Sequence, residues 1–486
     1  MVRALKTHWI AAICTGFVLL NALLTANEVY WLVLLPAVLL IGWAMVAVPD
    51  KLLLFIAFAT PLSINLEQLD LGGIGISLPT EPLMVGVTLL FLIKLALERD
   101  VLDPGVLRHP VTAVIVAHLL WMALCIVPSE MPLVSVKFFL ARLWFITTCY
   151  FVATRLFADQ RNMHRMAWLF AISLAGVIAY TLINHAQLRF EQEPAHWVMS
   201  PFFKDHTSYG AIIAFFLPFL VAAVAMPGYS RSRKGLAVLL LLVFTAGLIF
   251  SYTRAAWVSL IGALGMLLVM RLRVPIWALS LVLITGGAVY YVNADRITIA
   301  LERNREESSD DLGEHVQSIS NISSDASNLE RLNRWNSAMR MWEERPLFGW
   351  GPGTYMFQYA PFQASEDRTI ISTNFGTQGN AHSEYLGPLA EQGVPGMLLI
   401  VLLVIVTMVT ALQLYPRMPA GADRRLMSAA FLGLVTYYLH GALNNFLDTD
   451  KAAVPFWMFT AIVVLFDLKY PRSKALEGEA LNAWRR

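Results

Sequence analysis

Long runs of uncharged apolar residues recur along the whole chain and constrain its fold more than any other feature. Hydrophobic residues make up 57% of the 486 residues and charged residues only 14%, whereas globular chains carry about 25% charge. A run of roughly 20 apolar residues crosses the hydrocarbon core of a bilayer. Its backbone must be helical, because lipid offers no hydrogen-bond partners. The sequence therefore predicts an all-α polytopic membrane protein.

The apolar runs predict about fourteen transmembrane helices, with about twelve as the lower limit. The run at 51–66 is short and contains Pro61, which makes it the weakest candidate of the set. The expected spans are centred on residues 8–26, 29–48, 51–66, 82–97, 110–128, 136–157, 163–184, 208–227, 235–252, 255–271, 274–292, 394–414, 426–446 and 452–468.

Basic residues fall on alternate turns between these runs. Arg271 and Arg273 lie in one such turn, and Arg424 and Arg425 lie in another. Because cytoplasmic loops are enriched in Lys and Arg, we expect these turns in the cytoplasm, with both termini inside a bacterial inner membrane. The chain then divides into residues 1–292 with eleven spans, a large periplasmic loop at 293–393, and residues 394–486 with three spans and a tail.

The large loop contains an amphipathic helix, predicted at 328–345, followed by the glycine turn Phe348-GWGPG-Thr354. We expect the helix to lie on the membrane surface, tryptophan face down, and to cap a cavity while doing so. The glycine turn does not follow a predicted strand, so it is not a nucleotide-binding loop. The apolar residues of the helix recur at steps of three and four and share one face: Leu329, Leu332, Trp335, Met339 and Trp342.

Several ionisable residues lie on or near the predicted outer half of the membrane. Arg254 lies at the outward end of a span, Arg142 lies inside another, and Lys204 and His206 precede a third. Such residues usually face a cavity or a partner, and snorkelling to the headgroups is the alternative for each. Since arginine binds phosphate oxygens bidentately, the cluster indicates an anionic ligand partly inside the membrane, such as a polyprenyl diphosphate glycan.

Four segments together resemble the O-antigen ligase and polymerase superfamily of bacteria over about residues 200 to 460. The segment NAHSEYLGPLAEQGVPG resembles the family's His-Asn/Ser-Glu-Tyr-Leu motif, and RPLFGWGPGTY resembles its glycine segment. SYTRAAW is similar to its Ser-x-x-Arg turn, and KDHTSYGAIIAFFLP to a variant of its Asn-Pro-Asn segment. These segments start at residues 380, 345, 251 and 204.

The resemblance implies transfer of a glycan from undecaprenyl diphosphate to an acceptor hydroxyl at the periplasmic face. The acceptor would be lipid A-core, a growing polysaccharide or a protein, and we expect no metal, no cofactor and no nucleic-acid partner. The family's functional His corresponds to His382 and its diphosphate-binding Arg to Arg254, and Arg142 is a second candidate for the diphosphate. Candidates for acceptor contact or for orienting the base are His206, Glu384 and Lys204.

The chain departs from the family pattern at two points, and the second of them, the number of spans, leaves a polymerase open beside a ligase. Ser383 replaces the commoner Asn, and about fourteen spans exceed the twelve expected of a ligase. In either case a neutral imidazole can take the proton of a sugar hydroxyl. The leaving diphosphate needs charge stabilisation, which Arg254 can supply, so we predict one displacement with inversion at the anomeric carbon.

Two other functions remain open from the sequence. One is a metal-dependent polyprenyl-phosphate glycosyltransferase that uses Glu67 and Asp70 of the first outer loop. The other is a flippase for lipid-linked oligosaccharides. Transporters place charge at the midplane of interrupted helices and often contain repeated halves, whereas here the charge lies near the outer face and no repeat is evident.

Overall fold

The computed structural model of the protein is almost entirely helical over the residues it describes. These are residues 2–29, 31–66, 75–98, 101–275, 277–278, 281, 285, 326–365, 367–368, 372 and 379–471. The sheet found among them is one antiparallel ribbon of Ile64–Asn65 (β1) and Ser77–Leu78 (β2), with Ile64 opposite Leu78. The predicted helical class is confirmed with this small exception.

The helices follow one another closely along the chain, with short turns between most of them. The chain divides into two compact units, Met1–Phe55 and Ile56–Arg486. A π-helical segment, Thr147–Val152, joins α7 to α8 without a break. The helices are α1 (Val2–Ala26), α2 (Leu35–Ala47), α3 (Pro49–Ala59), α4 (Thr80–Leu97), α5 (Pro104–Leu107), α6 (Pro110–Cys125), α7 (Pro132–Ile146), α8 (Ala153–Leu156), α9 (Gln160–Gln187), α10 (His206–Val224), α11 (Arg231–Ile249), α12 (Arg254–Leu272), α13 (Ala326–Glu344), α14 (Tyr355–Gln358), α15 (Leu386–Leu414), α16 (Ala422–His440) and α17 (Asp450–Lys469).

Eight helical stretches within the described part of the chain are long and apolar enough to cross a membrane, so this is a multi-pass membrane protein. The predicted count of fourteen is not confirmed. The run at 51–66 corresponds to α3, whose 11 residues rise only about 16 Å. The run at 274–292 lies mostly outside the described residues. The eight stretches are Thr80–Leu97, Pro132–Leu156, Gln160–Gln187, His206–Val224, Arg231–Ile249, Arg254–Leu272, Leu386–Arg417 and Asp450–Lys469.

Helix α15 is broken near its start by a glycine. Gly393 has φ 70° and ψ −171°, which is not helical, and this left-handed region strongly favours glycine. A side chain there would collide with the Leu347 carbonyl oxygen. The Val394 N–H donates instead to the Pro346 carbonyl at 2.9 Å. The helix therefore restarts at Val394, where the sequence predicts the beginning of a span.

Side-chain hydrogen bonds join neighbouring helices at two opposite ends. At one end Lys469 donates to Asp423 at 2.7 Å, which joins the end of α17 to the start of α16. At the other end the Thr253 hydroxyl donates to the His206 carbonyl at 2.7 Å, which joins the starts of α10 and α12. The first contact lies among the basic turns, and the second lies among the candidate site residues.

A buried charged pair attaches the start of α17 to the turn that follows α3. Thr80 Oγ1 donates to the Asp450 carboxylate at 2.6 Å, and the Ser63 hydroxyl contacts the same carboxylate. The Lys451 ammonium donates to the carbonyls of Thr60 at 2.7 Å and Ser63 at 2.6 Å. Because buried charges are stable only when they are paired and hydrogen-bonded, this cluster fixes three separate segments together.

Replacing Lys451 with Met should destabilise the protein strongly, because the Asp450 carboxylate would stay buried without its cation. Removing one partner of a buried pair costs about 3–5 kcal/mol. The matched control is Lys469→Met, since the side chain of Lys469 is 43% exposed where it pairs with Asp423, and exposed pairs contribute about 0–1 kcal/mol. Thermal unfolding in nanodiscs measures both, and equal melting temperatures for the two variants would contradict this role of the cluster.

Candidate active site

The glycine turn Phe348–Thr354 is fixed to the start of α15 through one glutamate. The Gly351 N–H donates to the Glu391 carbonyl at 2.8 Å. The Glu391 carboxylate accepts from the Gly353 N–H at 2.9 Å and the Tyr355 N–H at 3.0 Å. Gly351 and Gly353 have φ of 116° and 75°, values that residues with a side chain rarely adopt. The glycines therefore let the turn lie flat against α15.

Helix α13, predicted as the amphipathic helix, buries its polar face. Glu330 is 5% exposed and Arg334 is 4% exposed, and they pair at 2.6 Å. Asn333 is fully buried, whereas Leu332 and Met339 on the apolar face are 41% and 37% exposed. The helix thus turns charged side chains towards the interior and leaves its apolar stripe outward, where it is available to a membrane surface.

Aromatic residues after the glycine turn hold α13 in place. The Tyr355 hydroxyl donates to the Arg334 carbonyl at 2.7 Å, and the Arg334 guanidinium lies 4.0 Å from the centre of the Tyr359 ring. The Trp350 indole N–H donates to the Met341 carbonyl at 2.9 Å. The position of the arginines on α13 is therefore set by the same segment that Glu391 fixes to α15.

His382 lies in the short segment that leads into α15, and both its backbone N–H and its backbone carbonyl are hydrogen-bonded. Its N–H donates to Asn380 Oδ1 at 3.1 Å, and its carbonyl accepts from the Trp335 indole at 3.4 Å. Its φ of 46° is in the left-handed region, which a residue with a side chain occupies only when its surroundings hold it there. The backbone therefore fixes the position of the Cβ atom that carries this imidazole.

The His382 side chain belongs to a group of residues that the sequence reasoning missed. Asn444 and His440 are both buried, and Asn444 Nδ2 lies 3.1 Å from His440 Nε2. The Asn444 side chain also hydrogen-bonds His382. A sequence signal exists: the polar residues of the segment His440-GALN-Asn445 follow directly after an apolar helix, close to the predicted outer face.

Positive charge keeps the His382 imidazole neutral. Burial, then the guanidinium groups of Arg331 and Arg334, lower the pKa of His382 to about 4, while Asn444 and the Asp205 carboxylate oppose this shift. Burial and nearby cations both disfavour the imidazolium form. The ring is therefore neutral at pH 7 and able to accept a proton.

Arg254 and His206 lie in the same region as His382. Arg254 is the first residue of α12 and is partly buried. The hydrogen bond of Thr253 to the His206 carbonyl places Arg254 next to the start of α10. The backbone of Ala255 lies within interaction range of the His440 ring. Arg254 is thus linked to His382 through His440 and Asn444.

Arg142 and Glu384 line a small cavity of about 20 Å³ between α6, α7, α15, α16 and α17. The Arg142 guanidinium donates to the Leu447 carbonyl at 2.8 Å. The Glu384 carboxylate accepts from the Tyr437 hydroxyl at 2.6 Å and from the N–H groups of Phe446 and Leu447 at 2.8 and 2.9 Å. These bonds fix the segment 441–448.

The candidate residues therefore form two neighbouring sets joined by the segment 441–448. One set contains His382, Arg254 and His206, and the other contains Arg142 and Glu384. None of the hydrogen bonds described for the Glu384 carboxylate reaches His382, so Glu384 acts on that ring only through the segment that carries Asn444.

Lys204 is exposed and stands at the edge of these two sets. Its charge acts on the Asp448 carboxylate, as does that of Arg142. The alternative metal-binding residues, Glu67 and Asp70, lie outside the described part of the chain. The arrangement offers a neutral base among several guanidinium groups, which suits an anionic substrate that must lose a proton during reaction.

The sequence was compared with known protein families and with curated proteins. The family model described as O-antigen ligase matches residues 237–401. The match contains Arg254, the glycine turn, α13 and His382, and it leaves out Lys204, His206 and Arg142. No curated protein shows significant similarity to the chain. Residues 237–401 are therefore similar to the O-antigen ligase family, and the resemblance to the O-antigen ligase and polymerase superfamily is confirmed over this part of the chain.

Proposed function

We propose that the protein is an inverting, metal-independent glycosyltransferase that moves a glycan from undecaprenyl diphosphate to an acceptor hydroxyl at the periplasmic face of the inner membrane. The observation that carries this proposal is a neutral imidazole, His382, among cationic side chains. The guanidinium groups of Arg331 and Arg334 disfavour the imidazolium form, and that of Arg254, in the same region, attracts a diphosphate. One arrangement therefore serves both the base and the leaving group.

The reaction needs a single displacement. The acceptor oxygen attacks the anomeric carbon of the first donor sugar as the bond from that carbon to the diphosphate oxygen breaks. The hydroxyl proton goes to His382, and the negative charge that develops on the diphosphate is stabilised by Arg254, with Arg142 as the second cation. The products are the extended acceptor with inverted configuration, undecaprenyl diphosphate and a protonated base, which then loses its proton to water.

The acceptor is lipid A-core in a ligase or a growing polysaccharide in a polymerase. His206 and Lys204 stand at the start of α10, beside Arg254, and we assign them to acceptor contact. Glu384 positions the segment that carries Asn444 and thereby orients His382. The basic turns support a location of this site on the outer side, with both termini in the cytoplasm.

Replacing His382 with Gln should abolish transfer while donor binding remains, because the amide cannot take the proton. Removing a general base typically costs about 10²–10⁴ in rate. Transfer is measured in proteoliposomes with lipid-linked donor, and unreacted donor should accumulate. His164→Gln is the matched control, since this ring bonds Tyr229 at 2.8 Å, far along the chain from α15. Full transfer by the His382 variant would refute the role of this imidazole as the base.

Arg254 should contribute to both donor binding and turnover, because it contacts charge that grows as the diphosphate leaves. Arg254→Ala should raise KM and lower kcat. Arg254→Lys should restore only part of the donor binding and turnover, since lysine lacks the bidentate fork. Arg231→Ala, an exposed arginine at the start of α11, is the control. A kcat for Arg254→Ala equal to that of the natural protein would refute this role.

The acid limb of the pH–rate profile should reveal the unusual ionisation of His382. A pKa of about 4 predicts a constant rate from pH 8 to about pH 5 and a loss at lower pH, as the imidazole becomes protonated. Arg331 lowers this pKa, so Arg331→Gln should move the loss of activity to higher pH.

Single-turnover rates between about pH 3 and pH 8 measure the midpoint for each variant. The control is Arg340→Gln, on the same helix, whose guanidinium pairs with Asp367 at 2.7 Å. A midpoint near 6.5 in the natural protein, or equal midpoints in the Arg331 variant and the natural protein, would contradict the proposed electrostatic arrangement.

A further inference from the structure

A large groove lies at the ends of α10 and α12 that are remote from the candidate active site. It has a volume of about 660 Å³ and lies between α10, α12 and α16. Its walls are apolar, with Leu217 and Val221 from α10, Leu264 and Leu267 from α12, and Leu432 from α16. Val221 and Leu264 are exposed, as expected of side chains that face lipid tails.

The groove exists because α10 and α12 meet at one end and leave space at the other. Near the candidate active site, a side chain on Gly210 would stand only 2.6 Å from Thr253 Oγ1, so the two helices are in close contact there. Further along α10, Pro218 interrupts the helix hydrogen bonds, and Ala222 lines the groove with a small side chain. The space between the helices opens on this side.

Three arginines surround the end of the groove among the basic turns. Arg271, Arg424 and Arg425 line it, and none of its other lining residues is acidic. Within the described part of the chain, no carboxylate pairs with Arg271 or Arg425. The neighbouring Asp423 is engaged by Lys469 at 2.7 Å. The groove therefore combines an apolar slot with concentrated, uncompensated positive charge.

We propose that this groove is a binding site for one anionic phospholipid of the cytoplasmic leaflet, with acyl chains between α10 and α12 and the phosphate on the arginines. Basic pockets between transmembrane helices on the cytoplasmic side suit anionic headgroups, and guanidinium groups bind phosphate oxygens in pairs. The charge complementarity selects an anionic lipid over a zwitterionic one, whose amine the arginines would repel. Free phosphate would leave the apolar walls unfilled.

The site is separate from the proposed glycosyl transfer, because its lining residues include none of the candidate catalytic residues. The lipid would contact α10 and α12, which begin at His206 and Arg254 respectively. Any ligand that binds only the folded state stabilises it. Occupancy should therefore raise the melting temperature of the purified full-length chain.

The test is a lipid titration of the detergent-solubilised full-length protein, followed by native mass spectrometry. Phosphatidylglycerol, phosphatidylethanolamine and undecaprenyl phosphate are added separately. The groove variant is Arg271→Gln with Arg425→Gln, and the matched control is Arg273→Gln with Arg231→Gln, exposed arginines that do not line the groove. We expect phosphatidylglycerol to bind about tenfold more weakly to the groove variant and unchanged to the control.

A second variant separates the loss of charge from a loss of structure. Leu264→Trp fills the apolar slot and keeps all three arginines, so it should also weaken phosphatidylglycerol binding and remove its effect on the melting temperature. Three results would each overturn the proposal: equally weakened phosphatidylglycerol binding in the control variant, phosphatidylethanolamine binding to the natural protein as tightly as phosphatidylglycerol, or tighter binding of undecaprenyl phosphate than of phosphatidylglycerol. Glycan transfer is not measured here, so failure of this site would leave the proposed reaction untouched.

Discussion

The contact between Glu391 and the glycine turn is the constraint on which the candidate site depends. One carboxylate receives the N–H groups of Gly353 and Tyr355, and Tyr355 in turn holds the Arg334 carbonyl of α13. Glu391 and His382 are both anchored at the start of α15, so the turn, the arginine-bearing helix and the imidazole share one frame. That frame holds Arg334 close to His382, where its charge adds to the effect of burial in lowering the pKa of the ring.

The orientation of α13 shows how a membrane surface changes the usual rule of burial. In water a helix buries its apolar stripe, because each fully buried large apolar side chain contributes about 1.5–3 kcal/mol. Here Leu329, Leu332 and Met339 remain more than a third exposed, while Glu330 and Arg334 are buried as an ion pair. The arrangement is favourable when a bilayer covers the stripe, and it directs the charges to the reaction side.

Much of the architecture could be predicted from hydropathy, because a bilayer leaves few choices to an apolar segment. The restart of α15 at Val394 was also predictable, since glycine and proline flank it. The short α3 was not, because apolar composition alone does not show that a buried helix stops at Ala59. Nor were Asn444 and His440 assigned, although they lie beside His382. Their segment is far away in sequence, and only the packing of α16 against α12 and α15 brings it there.

Arginine serves opposite electrostatic purposes at the two ends of α10 and α12. At the candidate active site, guanidinium groups lie close to a partly buried ring, where water screens their charge weakly, and they shift its ionisation. At the other end, Arg271 and Arg425 are exposed, so they can meet a phosphate without first breaking an ion pair. A diphosphate in the site and a phospholipid in the groove would each contact the same two helices. The spacing of α10 and α12 is the physical quantity that the two ligands share, because each would contact both helices.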